Sequence, residues 1–284
     1  MKRRLLDYLF YSITTLLTLI PIIILTAVLR FVYQNGASVL YQQLTGVYQN
    51  VSLESDKLLQ MIVSTLMLIG MTLLLILPFS ILAAIYLNEY ALESSWAKLV
   101  RFCVEILASI PSIVYGLFGM LVFVRILGFG MSIIAGSLTL SLMLLPIMMR
   151  QTEEALKQVS SSYREASSAL GATQFETIKN VVIPSAVPGI LVGVLLTIGR
   201  IIGESAALLF TVGSFVRMPI DRETGLLSVL ESGTTLTIRA IIEFKEYGNL
   251  EAAAAIGIIT IGVAILLNLV SKMITAIFIK DSSA

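Results

Sequence analysis

Apolar residues in this chain fall in long unbroken runs, not in alternation. Tyr8 to Leu29, Met61 to Leu87, Ile106 to Val124, Ile126 to Met149 and Ala252 to Ser271 contain no Asp, Glu, Lys or Arg. Asn180 to Gly199 is also charge-free. After an interruption by Arg200 and Glu204, the apolar pattern resumes from Ser205 to Val216. A helix needs about 20 mostly apolar residues to cross a hydrocarbon core of roughly 30 Å. The pattern therefore predicts six transmembrane helices, at 8–31, 61–87, 104–126, 131–149, 186–211 and 252–279. Runs that do not alternate are poor barrel strands, so the expected class is an all-α integral membrane protein. Two parts are expected: residues 1–60, with the first helix and an outer loop rich in Gln, Asn, Tyr and Ser (33–57), and residues 61–284, with five helices and a long polar loop at 150–185. Residues 88–101 are expected to form a short amphipathic segment, and Pro78, Pro111 and Pro146 to bend their helices.

Composition narrows the chemistry. The chain has 284 residues, 57% apolar and 13% charged, with a net charge of +1. Its mean hydropathy is +0.94. Histidine is absent and Cys103 is the single cysteine, which removes disulfide scaffolds, Ser-His and Cys-His catalysis and the usual zinc sites. The near-zero charge argues against a nucleic-acid partner. No Walker A sequence is present. Lys2-Arg3-Arg4 before an apolar run has the charge pattern of a signal peptide. No small-x-small site closes the run, however, so a retained first helix is expected. With the N-terminus placed in the cytoplasm, eleven Lys and Arg fall in inner segments and seven in outer ones, four of these in the loop 212–251. That bias places both termini in the cytoplasm.

The loop 150–185 carries a distinct pattern. Glu153 to Leu170 is helix-forming and amphipathic, and Gly171 permits a sharp turn. Thr173 stands three residues before Glu176, the capping-box spacing, and Pro184 suits the first turn of the next helix. Read from these residues alone, the segment is helix, glycine turn, helix, and an amphipathic connector lying in the membrane interface would fit equally. Glu165-Ala166, then Gly171, then Val181-Val182-Ile183-Pro184 resembles the E-A-A-x3-G-x9-I-x-L-P motif of ABC importer permeases, with Ser167 at the second alanine. The resemblance implies the type I ABC importer permease fold, with a coupling segment that docks on a cytoplasmic ATPase. The coupling residues it implies are Glu165, Ala166, Gly171, Ala172, Thr173, Phe175 and Pro184. Two ATPase subunits need two such loops, so a second permease chain is implied.

The fifth helix holds a charged pair within GRIIGESAALLF. On a helix, Arg200 and Glu204 would lie about 40° apart on one face. A start near Ala186 would put Arg200 about 21 Å along, near the membrane centre. Intramembrane charges normally face a bundle interior or a wet cavity. Two readings stand. The pair neutralises itself, or Arg200 offers its donors to a passing oxyanion while Glu204 orients it and limits how tightly the anion is held. Gly189, Gly193, Gly199 and Gly203 on the same helix, and Gly116 and Gly119 after Pro111, are expected to allow close packing or hinging. The Tyr115 hydroxyl is a candidate for the pathway.

Ser109 to Gly119 (SIPSIVYGLFG) and Gly199 to Ala206 (GRIIGESA) resemble the phosphate (Pst) branch of these permeases, its A-type rather than C-type subunit. That resemblance implies inorganic phosphate as cargo, with Arg200 and Glu204 in the pathway. It implies as partners a C-type permease chain, two ATPase subunits and an extracytoplasmic phosphate-binding protein. It implies no cofactor on this chain, with ATP and Mg held by the ATPase. The expected location is the bacterial plasma or inner membrane. The alternatives are a permease for sulfate or molybdate, an ATPase-independent channel or carrier, and an intramembrane enzyme. The E-A-A-like loop argues against a channel or carrier, and the missing histidine against an enzyme.

Overall fold

The computed structural model describes residues 2–45, 55–91, 94–220 and 227–281. The described backbone is helical nearly throughout. It comprises α1 (Lys2–Thr45), α2 (Ser55–Ile85), α3 (Ser95–Ser109), α4 (Ser112–Gly119), α5 (Ile133–Lys157), α6 (Ser161–Ala169), α7 (Gln174–Thr177), α8 (Ile183–Gly203), α9 (Ala206–Thr211), α10 (Leu236–Lys245) and α11 (Leu250–Asp281). Short π-helical stretches extend α2 (Tyr86–Tyr90), extend α4 (Met120–Ile126) and join α7 to α8 (Ile178–Val182). Among the described residues, five helices are long and apolar enough to span a membrane, or six if the bent pair α3–α4 counts as one span. The six-helix count thus holds in the second form, and the all-α class is as expected.

The chain forms two compact units. One comprises residues 1–53 and 240–259, the other 54–239 and 260–284. In the first, Gly36 of α1 lies against the start of α11: a Cβ there would come within 2.6 Å of the Ala254 carbonyl carbon. Helix α1 continues through residues 33–45, where an outer loop was expected. The rest of that expected loop, up to residue 54, lies outside the described residues.

The second unit is organised around α5. Ile133, Leu140, Leu144, Met148 and Leu156 on this helix are fully buried. Its start is well satisfied. Ser132 accepts from the Ala135 N–H at 3.3 Å, and the Ile133 and Ile134 N–H groups donate to the carbonyls of Glu231 and Val229 at 3.1 and 2.8 Å. The segment 212–251 therefore closes the orphan donors of a helix end. It also forms α10, whose Leu236 N–H donates to Thr65 Oγ1 of α2 at 3.3 Å, so it is not the simple loop that its charges suggested. Part of its charged stretch, 221–226, lies outside the described residues. Pro78 and Pro146 lie inside α2 and α5, which run on through them.

Two expected spans are broken. The one at 104–126 is an elbow: α3 and α4 diverge by 94° at Ile110-Pro111. Ile110 is extended (φ −69°, ψ 132°), as steric conflict with a following proline favours. The amphipathic segment expected at 88–101 is shifted toward the C-terminus and becomes α3, with Ser94 as N-cap and Trp96, Leu99, Phe102 and Ile106 exposed. The span expected at 186–211 instead runs as one helical path from Gln174 to Gly203, stops, and restarts as α9.

Candidate functional site

The first cluster is the segment that resembles the coupling motif. Ser160 caps α6, and Gly171 ends it with φ +86°. The Gly171 N–H donates to the Ser168 carbonyl at 3.0 Å and the Ala172 N–H to the Ser167 carbonyl at 3.2 Å, the paired bonds of a Schellman C-cap. Thr173 and Glu176 form the capping box expected from their spacing. The Glu176 N–H donates to Thr173 Oγ1 at 3.3 Å and the Thr173 N–H to Glu176 Oε2 at 2.8 Å. The result is a helix, a left-handed glycine turn and a second helix. Glu165, Ala166, Thr173 and Phe175 are exposed and Ala172 is half-buried. Leu170 is 90% exposed. Sequence reasoning passed over that side chain, although an isolated leucine beside a glycine turn was visible. Pro184 lies in the first turn of α8, as its missing N–H suggested, and α7 with its π turn leads into that helix.

The second cluster is the break after α8. Arg200 sits in the last turn of α8, about 39 Å along the path from Gln174. Glu204 is extended (φ −79°, ψ 131°), so the helix that was expected to bring the two onto one face ends between them. Among the described residues they form no ion pair, and Glu204 Oε1 instead accepts from the Ala207 N–H at 3.1 Å. Each charge thus serves a helix end of opposite polarity. The guanidinium is at the negative C-terminal end of α8 and the carboxylate at the positive N-terminal end of α9. Arg200 is exposed and has no hydrogen-bonding partner among the described residues. An interrupted helix at membrane depth is tolerated only where it is buried in protein or lines a water-filled cavity. Here the Ile202 carbonyl freed by the break receives the Thr237 hydroxyl. Thr237 is a residue that sequence reasoning missed; its only signal was the polar run Ser232 to Thr237 between apolar stretches.

The glycines divide into two groups. A Cβ on Gly116 would meet Ala207 Cα at 2.7 Å, so α4 lies tight against α9 beside the break. On Gly119 it would run into Thr139 Oγ1, on Gly189 it would meet Ala155 Cβ at 2.7 Å and on Gly193 Gln151 Cβ at 2.9 Å. Those four are close-packing positions within the chain. Gly199 and Gly203 meet nothing within 4 Å, and with Arg200 they form an open strip on the end of α8. Tyr115 is buried, and its hydroxyl donates to the Leu107 carbonyl at 2.8 Å. That bond ties the elbow at Pro111, and it is the use the structure gives this hydroxyl.

Comparison with known proteins agrees with this geometry. The family model described as "Binding-protein-dependent transport system inner membrane component" matches residues 76–282. A probable ABC transporter permease protein of Bacillus subtilis, YqgI, is 34% identical over 84% of this chain and 83% of its own length. A phosphate transport system permease protein PstA of Yersinia pestis is 41% identical over 70% of this chain and 65% of its own. The chain spans only 32% of a PstA homolog of Mycoplasma pneumoniae, to which it is 34% identical over 75% of this chain. In solved structures, an inward-facing MetNI methionine ABC transporter chain superposes with a TM-score of 0.60 at 19% identity, covering 80% of this chain and 99% of that one. A chain of a bacterial ABC transporter that imports alginate gives 0.60 at 17% identity, covering 84% and 89%. The helical order, the glycine-turned segment and the matched residues agree: this chain belongs to the inner membrane component family of binding-protein-dependent transport systems, the permeases of ABC importers.

Proposed function

We propose that this chain is a permease subunit of an ATP-driven inorganic phosphate importer. Arg200 carries the reading. It is a cation at a helix break, exposed on an open glycine strip, with no partner among the described residues. A guanidinium presents a planar fork suited to phosphate oxygens. Glu204, held by the first turn of α9, keeps a negative charge nearby, so a passing anion is attracted but not trapped. Relatives named as phosphate permeases support the choice of cargo.

In this reading the chain works with a second, C-type permease chain, two ATPase subunits that hold ATP and Mg, and an extracytoplasmic phosphate-binding protein. The chain itself holds no cofactor and performs no chemistry on ATP. It lies in the bacterial plasma or inner membrane with both termini cytoplasmic, and the segment from Glu165 to Thr177 docks on an ATPase through Leu170 and Phe175. The strip of Gly199, Arg200 and Gly203 faces the second permease chain across the pathway. Substituting Arg200→Ala is expected to abolish labelled phosphate uptake while the assembled complex still purifies. Normal uptake by that variant would remove Arg200 from the pathway. Uptake that unlabelled sulfate or molybdate suppresses better than phosphate would move the cargo to another oxyanion.

A further inference from the structure

The end of α2 is tied to the coupling segment by residues outside the motif. Glu89 lies on the π turn that extends α2. Its carboxylate accepts from Arg164 Nη2 at 2.8 Å and Nε at 3.3 Å and from Asn88 Nδ2 at 2.8 Å. Gln174 Nε2, at the start of α7, donates to the Glu89 carbonyl at 2.7 Å. Arg164 also donates to the carbonyls of Val159 and Leu156 at the end of α5, at 2.7 and 3.0 Å. The Glu89 side chain is only 8% exposed. One guanidinium therefore joins α2, α5 and α6, with a two-point contact to the carboxylate that fixes direction as well as distance.

The connections of α6 give this contact its consequence. Toward the N-terminus, α6 reaches α5 through the non-helical Gln158 to Ser160, and toward the C-terminus it reaches α7 through the Gly171 turn. Neither is a stiff link. Helix α7 passes directly into α8, so a displacement of the segment has a covalent route along α8 toward Arg200. It has no such route into α2. We propose that Glu89 and Arg164 are a positioning pair that carries displacement of the coupling segment into α2, so that both α2 and α8 follow the ATPase. The π turn beneath Glu89 suits this role, because such bulges interrupt regular helix bonding and are frequent at functional sites.

The inference rests on the reading that the segment docks on an ATPase. It is tested in the complete transporter, with both permease chains, the ATPase and the binding protein reconstituted in proteoliposomes. Glu89→Gln and Arg164→Gln are expected to retain the ATPase on purification, yet to lower phosphate imported per ATP hydrolysed about tenfold. The double variant is expected to be no worse than either single one, since both break one link. A merely structural role would lower the amount of complex and both rates together, leaving the ratio unchanged. An unchanged ratio, or losses that add in the double variant, overturns the proposal. If either glutamine variant fails to assemble, Arg164→Lys keeps the charge without the fork, and an unchanged ratio there overturns it equally. An unaltered transporter that hydrolyses ATP in response to the binding protein but imports no phosphate would refute the cargo instead. The link would then be read from the stimulation of ATP hydrolysis by the binding protein.

Discussion

Substituting Gly116→Ala tests whether the break after α8 is held by close packing of α4. The added Cβ would stand 2.7 Å from Ala207 Cα and 3.1 Å from the Ala207 carbonyl oxygen. Carbon atoms in contact normally sit about 3.5–4.0 Å apart. About 1 Å of separation must therefore be found. The nearest neighbour is backbone, so α4 and α9 must part as bodies and no side chain can simply rotate away. Overpacking of this kind costs about 1–3 kcal/mol. Alanine in place of glycine within a helix recovers about 1 kcal/mol of that. A net loss of up to about 2 kcal/mol is expected.

The matched comparison is Gly199→Ala on α8. Nothing lies within 4 Å of its Cβ position, so only the gain of about 1 kcal/mol in helix propensity applies. Thermal denaturation midpoints of the isolated chain in detergent should therefore move in opposite directions, down for Gly116→Ala and up for Gly199→Ala. In the assembled transporter the order changes if the open strip faces a second permease chain, because Gly199→Ala would then impair assembly. Equal midpoints for the two isolated variants would refute the argument that α4 and α9 are locked by contact at Gly116.

Three further perturbations follow from single contacts. Thr237→Val removes the donor to the Ile202 carbonyl at the break; leaving that group unmade is expected to cost about 1–3 kcal/mol, read as a lower denaturation midpoint. Gly171→Ala adds a Cβ in open space at φ +86°, so its cost is backbone strain alone, about 1–2 kcal/mol. Less ATPase should co-purify with that variant, and the denaturation midpoint of the isolated chain should fall by a few degrees. Leu170→Asp places a charge where a leucine is 90% exposed; the isolated chain should melt as before, and ATPase co-purification should drop.

How much was legible in the sequence depends on what kind of signal each feature leaves. Hydropathy registers the length of an apolar run, so the spans at 61–87, 131–149 and 252–279 were found, each lengthened in the structure by polar turns that hydropathy discounts. The capping box at Thr173 and the turn at Gly171 were found because they depend on side chains close in sequence, as does a Schellman end. The breaks were not found. Pro111 suggested a kink, but a 94° elbow needs a partner to hold it, and the bond from Tyr115 to Leu107 exists only once the chain has turned back on itself. At Glu204 the letters misled for a physical reason. Arg and Glu four residues apart are favourable on a continuous helix, and nothing in GRIIGESAALLF forbids one. What decides for the break lies elsewhere in the chain: Thr237 supplies the donor that the interrupted helix lacks, and Gly116 lets α4 come up against α9. Glu204 is then worth more capping the Ala207 N–H than neutralising its neighbour, and Arg200 is left without an ion pair among the described residues. Two charges that seemed to cancel are separated by contacts distant in sequence, and that separation leaves a cation available to an anion.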